Sequence, residues 1–397
     1  MMLRFDVRPA LLTAAAMISM LVAHPDAWVA KWAGLSTYLR VSLLILCPVF
    51  VAVGAWEAGR DRRSQLEELL ASTPRPSWHP LLVTWASVTV SGLAGLAVPL
   101  AVAAALVGPR AAYAGAGWWW TALVGVIALL PASALGMLIG RLTPLRVVAP
   151  VAGLLVYLGL AVPVYLERTP WSGLTPVIGY ASPEDVWPIG YHAWQAGWLI
   201  ALAAVLLLLA ARHWLAAGLP ALLAVVLLAV PAWAGEDFGE PHTDPRATEL
   251  VCTGKVCVTR VNAFMLEDVA AVLSPGLARL AEVPGAPVRA VDELARERGD
   301  DRTDVLWFNL NGQATLTGGV ARTDWLLSSL RSPFLLLNCP LDVGSHPAIF
   351  AAESWTRGEP TAEVAALDEA GQRRWVGAVL AATRACDEPA LDRLAHP

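Results

Sequence analysis

Charged side chains are scarce in this sequence: Asp, Glu, Lys and Arg make up 15% of 397 residues, and lysine occurs only at Lys31 and Lys255. Hydrophobic residues make up 56%, and the mean hydropathy is +0.55. This composition is too apolar for an ordinary soluble globular protein. It also lacks the basic stripe that nucleic-acid binding requires, so nucleic acid is not an expected partner.

Common enzyme signatures are also missing. The sequence has no Gly-x4-Gly-Lys-Ser/Thr phosphate-binding loop, no His-Glu-x2-His and no Gly-x-Ser-x-Gly. We therefore expect neither an enzyme nor a chain with a metal or cofactor of its own. The apolar windows hold almost no ionisable residues, so no proton relay is expected within the membrane.

The two parts of the chain differ in charge. Residues 1–234 carry 13 Lys and Arg against 9 Asp and Glu, whereas residues 235–397 carry 15 against 24. Long Ala, Leu and Val runs lie almost entirely in the first part. The predicted fold is an α-helical polytopic membrane domain followed by a soluble α+β domain.

Seven windows approach the 20 or so apolar residues that a membrane-spanning helix needs. They lie at 10–23, 41–56, 81–107, 118–140, 147–166, 194–211 and 215–233. They define a six-helix domain (1–214), a seventh helix (215–234), a linker (235–248) and a soluble domain (249–397). Removal of the first window as a signal peptide stays open, although no small-residue cleavage site follows it.

The arginines predict the orientation, because cytoplasmic loops of membrane proteins carry an excess of basic residues. A cytoplasmic N-terminus leaves four basic residues outside, namely Lys31, Arg40, Arg110 and Arg168. It places nine inside, namely Arg4, Arg8, Arg60, Arg62, Arg63, Arg75, Arg141, Arg146 and Arg212. We therefore expect a multi-pass protein of a bacterial plasma membrane, with its C-terminal domain outside.

The cysteines agree with this orientation. Cys47 lies within the second window, whereas Cys252, Cys257, Cys339 and Cys386 all lie in the C-terminal domain, where an oxidising compartment favours disulfides. Four cysteines allow three pairings. We favour Cys252 with Cys257, across a short turn, and Cys339 with Cys386. A zinc site is the alternative, but the spacing lacks the usual paired cysteines.

A charged segment follows the second window, from Glu57 to Pro76. Its leucines recur at helical spacing and its charges lie mainly off that stripe, which predicts a short amphipathic helix that Pro74 ends. Such a helix can dock into a groove of a cytoplasmic partner. An ordinary loop whose leucines rest on the lipid headgroups is an equally weighted alternative.

The motif Glu57-x-Gly59-Arg60-x-Arg62-Arg63, followed by Leu69-Leu70-Ala71-Ser72-Thr73-Pro74, resembles the corresponding loop of ABC-2 type transporter permeases, notably actinobacterial ones. The resemblance covers residues 1–214. It implies a coupling loop at 57–79 that contacts a separate ATPase subunit. The coupling residues would be Glu57, Arg60, Arg62, Arg63, Glu67, Glu68, Leu69 and Leu70.

The Pro- and Trp-rich loop 167–193 strengthens the resemblance, because ABC-2 permeases have short re-entrant helices in that place. The implied outer-gate residues are Trp171, Tyr180, Glu184, Asp185 and Trp187. A solvated loop is the alternative. Family members commonly end after the sixth helix, so the resemblance implies nothing about residues 215–397.

Within the C-terminal domain, residues 250–261 predict a β-hairpin and residues 266–283 an amphipathic helix that Ser274-Pro275 restarts. Residues 304–310 and 333–337 predict core strands, and 349–355 and 375–385 predict helices. The acidic stretch 292–304 predicts a solvated loop rather than a cation site.

These features favour the permease subunit of an ATP-driven exporter of a hydrophobic, amphipathic or peptide-like compound. The expected partners are an ABC ATPase subunit, which would hold ATP and Mg²⁺, a second permease copy or related permease, and the lipid bilayer. The alternative is a polytopic sensor or scaffold with an exported ligand- or protein-binding domain. A tethered hydrolase ranks third, because any nucleophile and its base would have to meet in space.

Overall fold

The structure, a computed structural model, describes residues 7–60, 78–143, 145–165, 174–178, 182–234, 238–297, 300, 302–334 and 346–396. The chain divides into two compact units. The membrane unit comprises Met1–Pro109 and Ala114–Asp244, and the C-terminal unit comprises Arg110–Tyr113 and Pro245–Pro397. Most of the described residues are helical.

The membrane unit is built from apolar helices. They are α1 (Val7–Ala23), α2 (Trp32–Ala58), α3 (Trp78–Val107), α4 (Trp118–Leu142), α5 (Val148–Tyr165), α6 (Ile189–Ala210) and α7 (Gly218–Ala234). Five of them, α2 to α6, are long and apolar enough to cross a membrane. Helices α1 and α7 have 17 residues each, near the lower limit for a span. The expected multi-pass helical architecture is confirmed at this level.

Helix α2 is the centre of the membrane unit, packing against α1, α3, α4 and α5. Small residues allow the closest approach, because a Cβ atom added to Gly136 of α4 would lie 2.3 Å from the carbonyl oxygen of Val51. Close backbone contact of this kind is typical of membrane helices, which gain little from burying apolar side chains away from lipid. Helix α5, by contrast, leaves an apolar face exposed, formed by Val151, Leu154, Leu155, Leu158 and Val162.

The C-terminal unit contains a four-stranded sheet of order β3-β4-β5-β6. The strands are β3 (Leu250–Thr253), β4 (Val256–Thr259), β5 (Arg289–Asp292) and β6 (Val305–Phe308). Strands β3 and β4 form the predicted antiparallel hairpin, and β4, β5 and β6 run parallel. In the membrane unit, a separate two-stranded ribbon pairs β1 (Asp185–Val186) with β2 (His242–Thr243). Strand β2 lies within the segment predicted to be a linker.

The remaining helices of the C-terminal unit are mostly short. They are α8 (Pro245–Thr248), α9 (Leu266–Leu280), α10 (Thr323–Ser328), α11 (Pro347–Arg357), α12 (Ala362–Ala365), α13 (Glu369–Arg384) and α14 (Glu388–Leu394). Helices α11 and α13 lie where helices were predicted. The stretch Arg260–Leu280 is also long and apolar enough to span a membrane. It is a core helix instead, because Leu266, Leu273 and Leu277 pack with the strands while Glu267 and Asp268 are exposed.

Three predictions for this unit were wrong in detail. Helix α9 runs through Pro275 without restarting. Pro333 and Phe334 lie in the 3₁₀ turn Ser329–Phe334 and not in a strand. Asp292 is buried at the end of β5, where it accepts hydrogen bonds from Thr259 Oγ1 (2.6 Å) and Asn262 Nδ2 (2.8 Å), so the acidic stretch does not begin as a solvated loop.

Candidate functional site

Arg40 lies inside the membrane unit. The second window was predicted to start after it, but α2 begins at Trp32, and Arg40 is 0% exposed. At 1.5 Å per residue, its Cα atom is about 12 Å along the helix from Trp32. Arg40 therefore lies within a helix that is long and apolar enough to cross a membrane, and not in a loop before the second window, so the expectation that the spans hold almost no ionisable group is wrong at this position. A buried charge in such a helix marks a candidate functional site.

Two oxygen atoms, one of a backbone carbonyl and one of a side chain, accept hydrogen bonds from the Arg40 guanidinium. Its Nε donates to the carbonyl oxygen of Pro176, and its Nη2 donates to Gln195 Oε1 at 2.7 Å. Gln195 Nε2 in turn donates to the carbonyl oxygen of Thr175 at 2.8 Å. We call Arg40, Thr175, Pro176 and Gln195 the arginine centre. It joins α2 to α6 through the segment 174–178.

The first turn of α6 adds further polar groups near this centre. His192 is 2% exposed, and its Nε2 lies 3.3 Å from Thr121 Oγ1 of α4. The His192 ring and the Tyr191 hydroxyl both interact electrostatically with the Arg40 charge. Among the described residues, no carboxylate lies within salt-bridge distance of Arg40.

An apolar cavity of about 360 Å³ adjoins the arginine centre. Thr175 and Pro176 belong to both. The other walls come from α2, α4, α5 and α6, and they include Cys47, Val51, Ala128, Pro131, Leu135, Val156, Gly159, Leu160, Pro163, Trp198 and Leu202. An apolar cavity next to a small group of buried polar side chains is typical of small-molecule sites.

Three of the predicted gate residues, Glu184, Asp185 and Trp187, lie in or directly beside strand β1 of the ribbon. Glu184 is buried, and its carbonyl oxygen accepts a hydrogen bond from the Asp244 amide at 3.0 Å. Burial raises the pKa of both Glu184 and Asp185, and the nearby Lys31 ammonium partly offsets this for Glu184. Trp171 and Tyr180 lie outside the described residues.

Trp187, the third of these residues, begins an aromatic group. Its ring stacks on Tyr191 with centroids 5.3 Å apart, and Phe238 contacts both Tyr191 and Trp194. Trp194 Nε1 donates to the carbonyl oxygen of Leu227 at 2.7 Å. Pro231 has no amide hydrogen to donate to that carbonyl four residues earlier, so the indole of α6 replaces a missing bond in α7.

The predicted coupling segment is only partly within the described residues. Glu57 and Arg60, at the end of α2, form a surface ion pair with a 3.6 Å separation, in which Arg60 is exposed and Glu57 is partly buried. Surface pairs of this kind add little stability. The remaining coupling residues, Arg62, Arg63, Glu67, Glu68, Leu69 and Leu70, lie outside the described residues.

The cysteine prediction is confirmed for one pair. Cys252 and Cys257 face each other across the β3–β4 hairpin and form a disulfide, whereas Cys47 is free and buried in α2. Cys386 is also disulfide-bonded. Its predicted partner, Cys339, lies outside the described residues. Within the described part of the chain, no group of three or more His, Cys, Asp or Glu side chains could hold a metal ion.

The sequence analysis missed the arginine centre because it treated Arg40 as the edge of a span. One signal was present: 31–58 carries no charged residue apart from Lys31, Arg40 and Glu57, so a helix could have been extended through Arg40. The partners of Arg40, at positions 176 and 195, carry no comparable signal. No family model matches the chain, and no match was found among curated proteins or solved structures.

Proposed function

We propose that this chain is the membrane-spanning permease subunit of an ATP-driven ABC-type transporter, with residues 1–214 as the six-helix unit. A separate ABC ATPase subunit supplies ATP hydrolysis. The transport unit is a dimer with a second copy or a related permease, and its direction is export of a hydrophobic, amphipathic or peptide-like compound.

The observation that carries the proposal is the buried segment 174–178 between α5 and α6. Thr175, Val177 and Ile178 are all at most 9% exposed, yet residues 175–178 are in neither a helix nor a strand. Irregular backbone at membrane depth is tolerated only where it is buried in protein or lines a cavity, and this segment does both. A re-entrant segment at this point is what the resemblance to ABC-2 permeases implies.

The ribbon β1–β2 supports α7 as a seventh span. Strand β1 precedes α6 and strand β2 follows α7, and the two strands pair. Two successive crossings return a chain to the side from which it started, so this pairing agrees with both helices crossing the bilayer. We place that side outside a bacterial plasma membrane, with the N-terminus in the cytoplasm.

The ATPase partner is tested by affinity purification of the full chain from its native host in mild detergent. We expect an ATPase with a phosphate-binding loop to co-purify, and we expect the double variant Leu69→Glu, Leu70→Glu to lose it. The matched control is Leu145→Glu, which changes an exposed leucine in the loop after α4. A chain that functions without any such ATPase would instead be a sensor or scaffold, and the proposal would fail.

The orientation is tested with an amine-reactive, membrane-impermeant label on intact cells. Of the two lysines, Lys31 is buried and Lys255 is exposed in the hairpin turn. We expect labelling at Lys255 without permeabilisation and its loss in Lys255→Arg. Labelling of Lys255 only after permeabilisation would reverse the proposed orientation.

A further inference from the structure

The arginine centre has an unbalanced positive charge. Arg40 is fully buried, and the described residues place no carboxylate within salt-bridge distance of it. An uncompensated charge away from water is strongly unfavourable, even after relaxation. Hydrogen bonds to neutral carbonyl and amide oxygens offset part of this cost but supply no counter-charge.

The same place has unused hydrogen-bonding groups. Arg40 Nη1 is buried and has no hydrogen-bond partner, although Nε and Nη2 each have one. His192 Nδ1, on a ring that interacts electrostatically with Arg40, is likewise buried and without a partner. Buried polar atoms are normally paired, so two such atoms beside one charge indicate a missing ligand.

The cavity beside the centre restricts the rest of that ligand. Its walls are almost entirely apolar, and it shares Thr175 and Pro176 with the centre. Its volume of about 360 Å³ lies at the lower end of the roughly 300–1,000 Å³ range of small-molecule pockets. The space suits a short apolar chain or ring system better than a polar solute.

We propose that the arginine centre binds the oxyanion headgroup of an anionic amphiphile, a carboxylate or a phosphate ester, whose apolar part occupies the adjoining cavity. Guanidinium groups bind carboxylate and phosphate well because their N–H donors match the oxygen spacing. The identification of this molecule as the transported compound rests on the proposed function, whereas binding itself does not.

Binding is tested with the full chain in nanodiscs of phosphatidylcholine, without any ATPase present. Radiolabelled decanoate and decyl phosphate are compared with decanol and decylamine, which have the same chain but a neutral or cationic headgroup. We expect both anions to bind at least tenfold more tightly than the other two probes. Decanol binding as tight as decanoate would overturn the proposal.

Three variants connect binding to the site. Arg40→Gln removes the charge and should weaken decanoate binding at least tenfold, whereas Arg40→Lys keeps the charge and should weaken it less. The matched control is Arg141→Gln: Arg141 also donates to a backbone carbonyl, that of Ala210, but at the other end of the helices. Unchanged decanoate binding in Arg40→Gln would overturn the proposal.

Gly159→Leu tests the cavity independently of the charge. Gly159 lines the cavity, and a Cβ atom added there meets no atom within 4 Å, so a larger side chain at the cavity wall is compatible with folding. We expect decanoate binding to fall at least tenfold with normal expression. Undiminished binding would place the ligand elsewhere and overturn the proposal.

A second set of nanodiscs that contains phosphatidylglycerol distinguishes two sources of the anion, a bilayer phospholipid and a free amphiphile. If phosphatidylglycerol in the nanodiscs competes with decanoate at Arg40, the site takes a bilayer phospholipid, and if decanoate binding is unchanged, it takes a free amphiphile. Neither arm involves the ATPase. If no ATPase co-purifies but decanoate binding still depends on Arg40, only the proposed function fails. If the ATPase co-purifies but binding does not depend on the headgroup, only the present inference fails.

Discussion

In the membrane unit, large apolar side chains such as Leu154, Leu158 and Leu222 are exposed, whereas in the C-terminal unit Leu273, Leu277 and Leu280 of α9 are buried in the protein core. Both α5 and the stretch Arg260–Leu280, which contains α9, are long and apolar enough to be taken for spans. The difference is that the large apolar side chains of α5 face outwards, whereas those of α9 are buried in the protein core. The stability of the C-terminal unit thus depends on apolar burial and on the hydrogen bonds of buried Asp292 with Thr259 and Asn262, which we call the polar hub. The stability of the membrane unit depends on close backbone contact between helices and on a few internal hydrogen bonds.

The largest expected effect is at the polar hub of the C-terminal unit. Asp292→Ala leaves Thr259, Asn262 and the Leu294 amide without their acceptor, which should cost about 3 kcal/mol. Hydrogen exchange of the β4 and β5 amides in the full-length protein measures this. The control Asp304→Ala changes an exposed carboxylate and should stay within about 0.5 kcal/mol of wild type. Equal exchange rates in the two variants would mean that the hydrogen bonds of Asp292 do not contribute to the stability of this unit.

The counterpart in the membrane unit is Gly136→Ala. The added Cβ atom would lie 2.3 Å from the Val51 carbonyl oxygen, so α2 and α4 must separate, at a cost of about 2 kcal/mol. The melting temperature in detergent, followed by tryptophan fluorescence, should fall. Gly159→Ala, where the new atom meets open space, should leave it unchanged or raise it. A fall in both variants would show that helix separation is not the cause.

A smaller effect is expected where α6 holds α7. Trp194→Phe keeps most of the ring but removes the donor to the Leu227 carbonyl, so we expect a loss of about 1 kcal/mol. Trp214→Phe, at an exposed position, is the matched control. Proteolytic sensitivity of the chain near α7 is the measurement. If the two variants are cleaved equally, the hydrogen bond does not anchor this helix.

The smallest effect depends on pH. Burial raises the pKa of Glu184 in the folded protein above its ordinary value of 4.5, so the ionised form is disfavoured there. The associated stability is fully present below pH 4.5 and is lost as the pH rises through the raised pKa. Glu184→Gln should therefore melt at a higher temperature than wild type at neutral pH and at the same temperature below pH 4.5.

The exposed Glu240 supplies the control for this pH dependence, since Glu240→Gln should melt with wild type at both pH values. A constant difference between Glu184→Gln and wild type across the pH range would mean that the effect is not one of ionisation.

The comparison also explains which features could be predicted from sequence. Continuous apolar runs identify α3 to α6, and the periodic leucines of α9 identify a core helix, because these signals are local. The hairpin with Cys252 opposite Cys257 is local as well. Such features need only the chemistry of neighbouring residues.

The arginine centre and the Asp292 hub could not be predicted in the same way. Arg40 is tolerated in the interior because groups 136 and 155 positions later accept its hydrogen bonds. Asp292 is buried because Thr259 and Asn262, about 30 positions earlier, donate to it. In both cases an isolated charge looks like a surface residue until the distant partners are known.

The exposed apolar face of α5 has a consequence for how a ligand reaches the cavity. The opposite side of the same helix lines that cavity through Val156, Gly159, Leu160 and Pro163. Helix α5 therefore stands between the pocket and the lipid tails that would surround the unit. An amphiphile dissolved in the bilayer would approach sideways past this wall, and occupancy of the pocket would follow the ligand's mole fraction in lipid rather than its concentration in water.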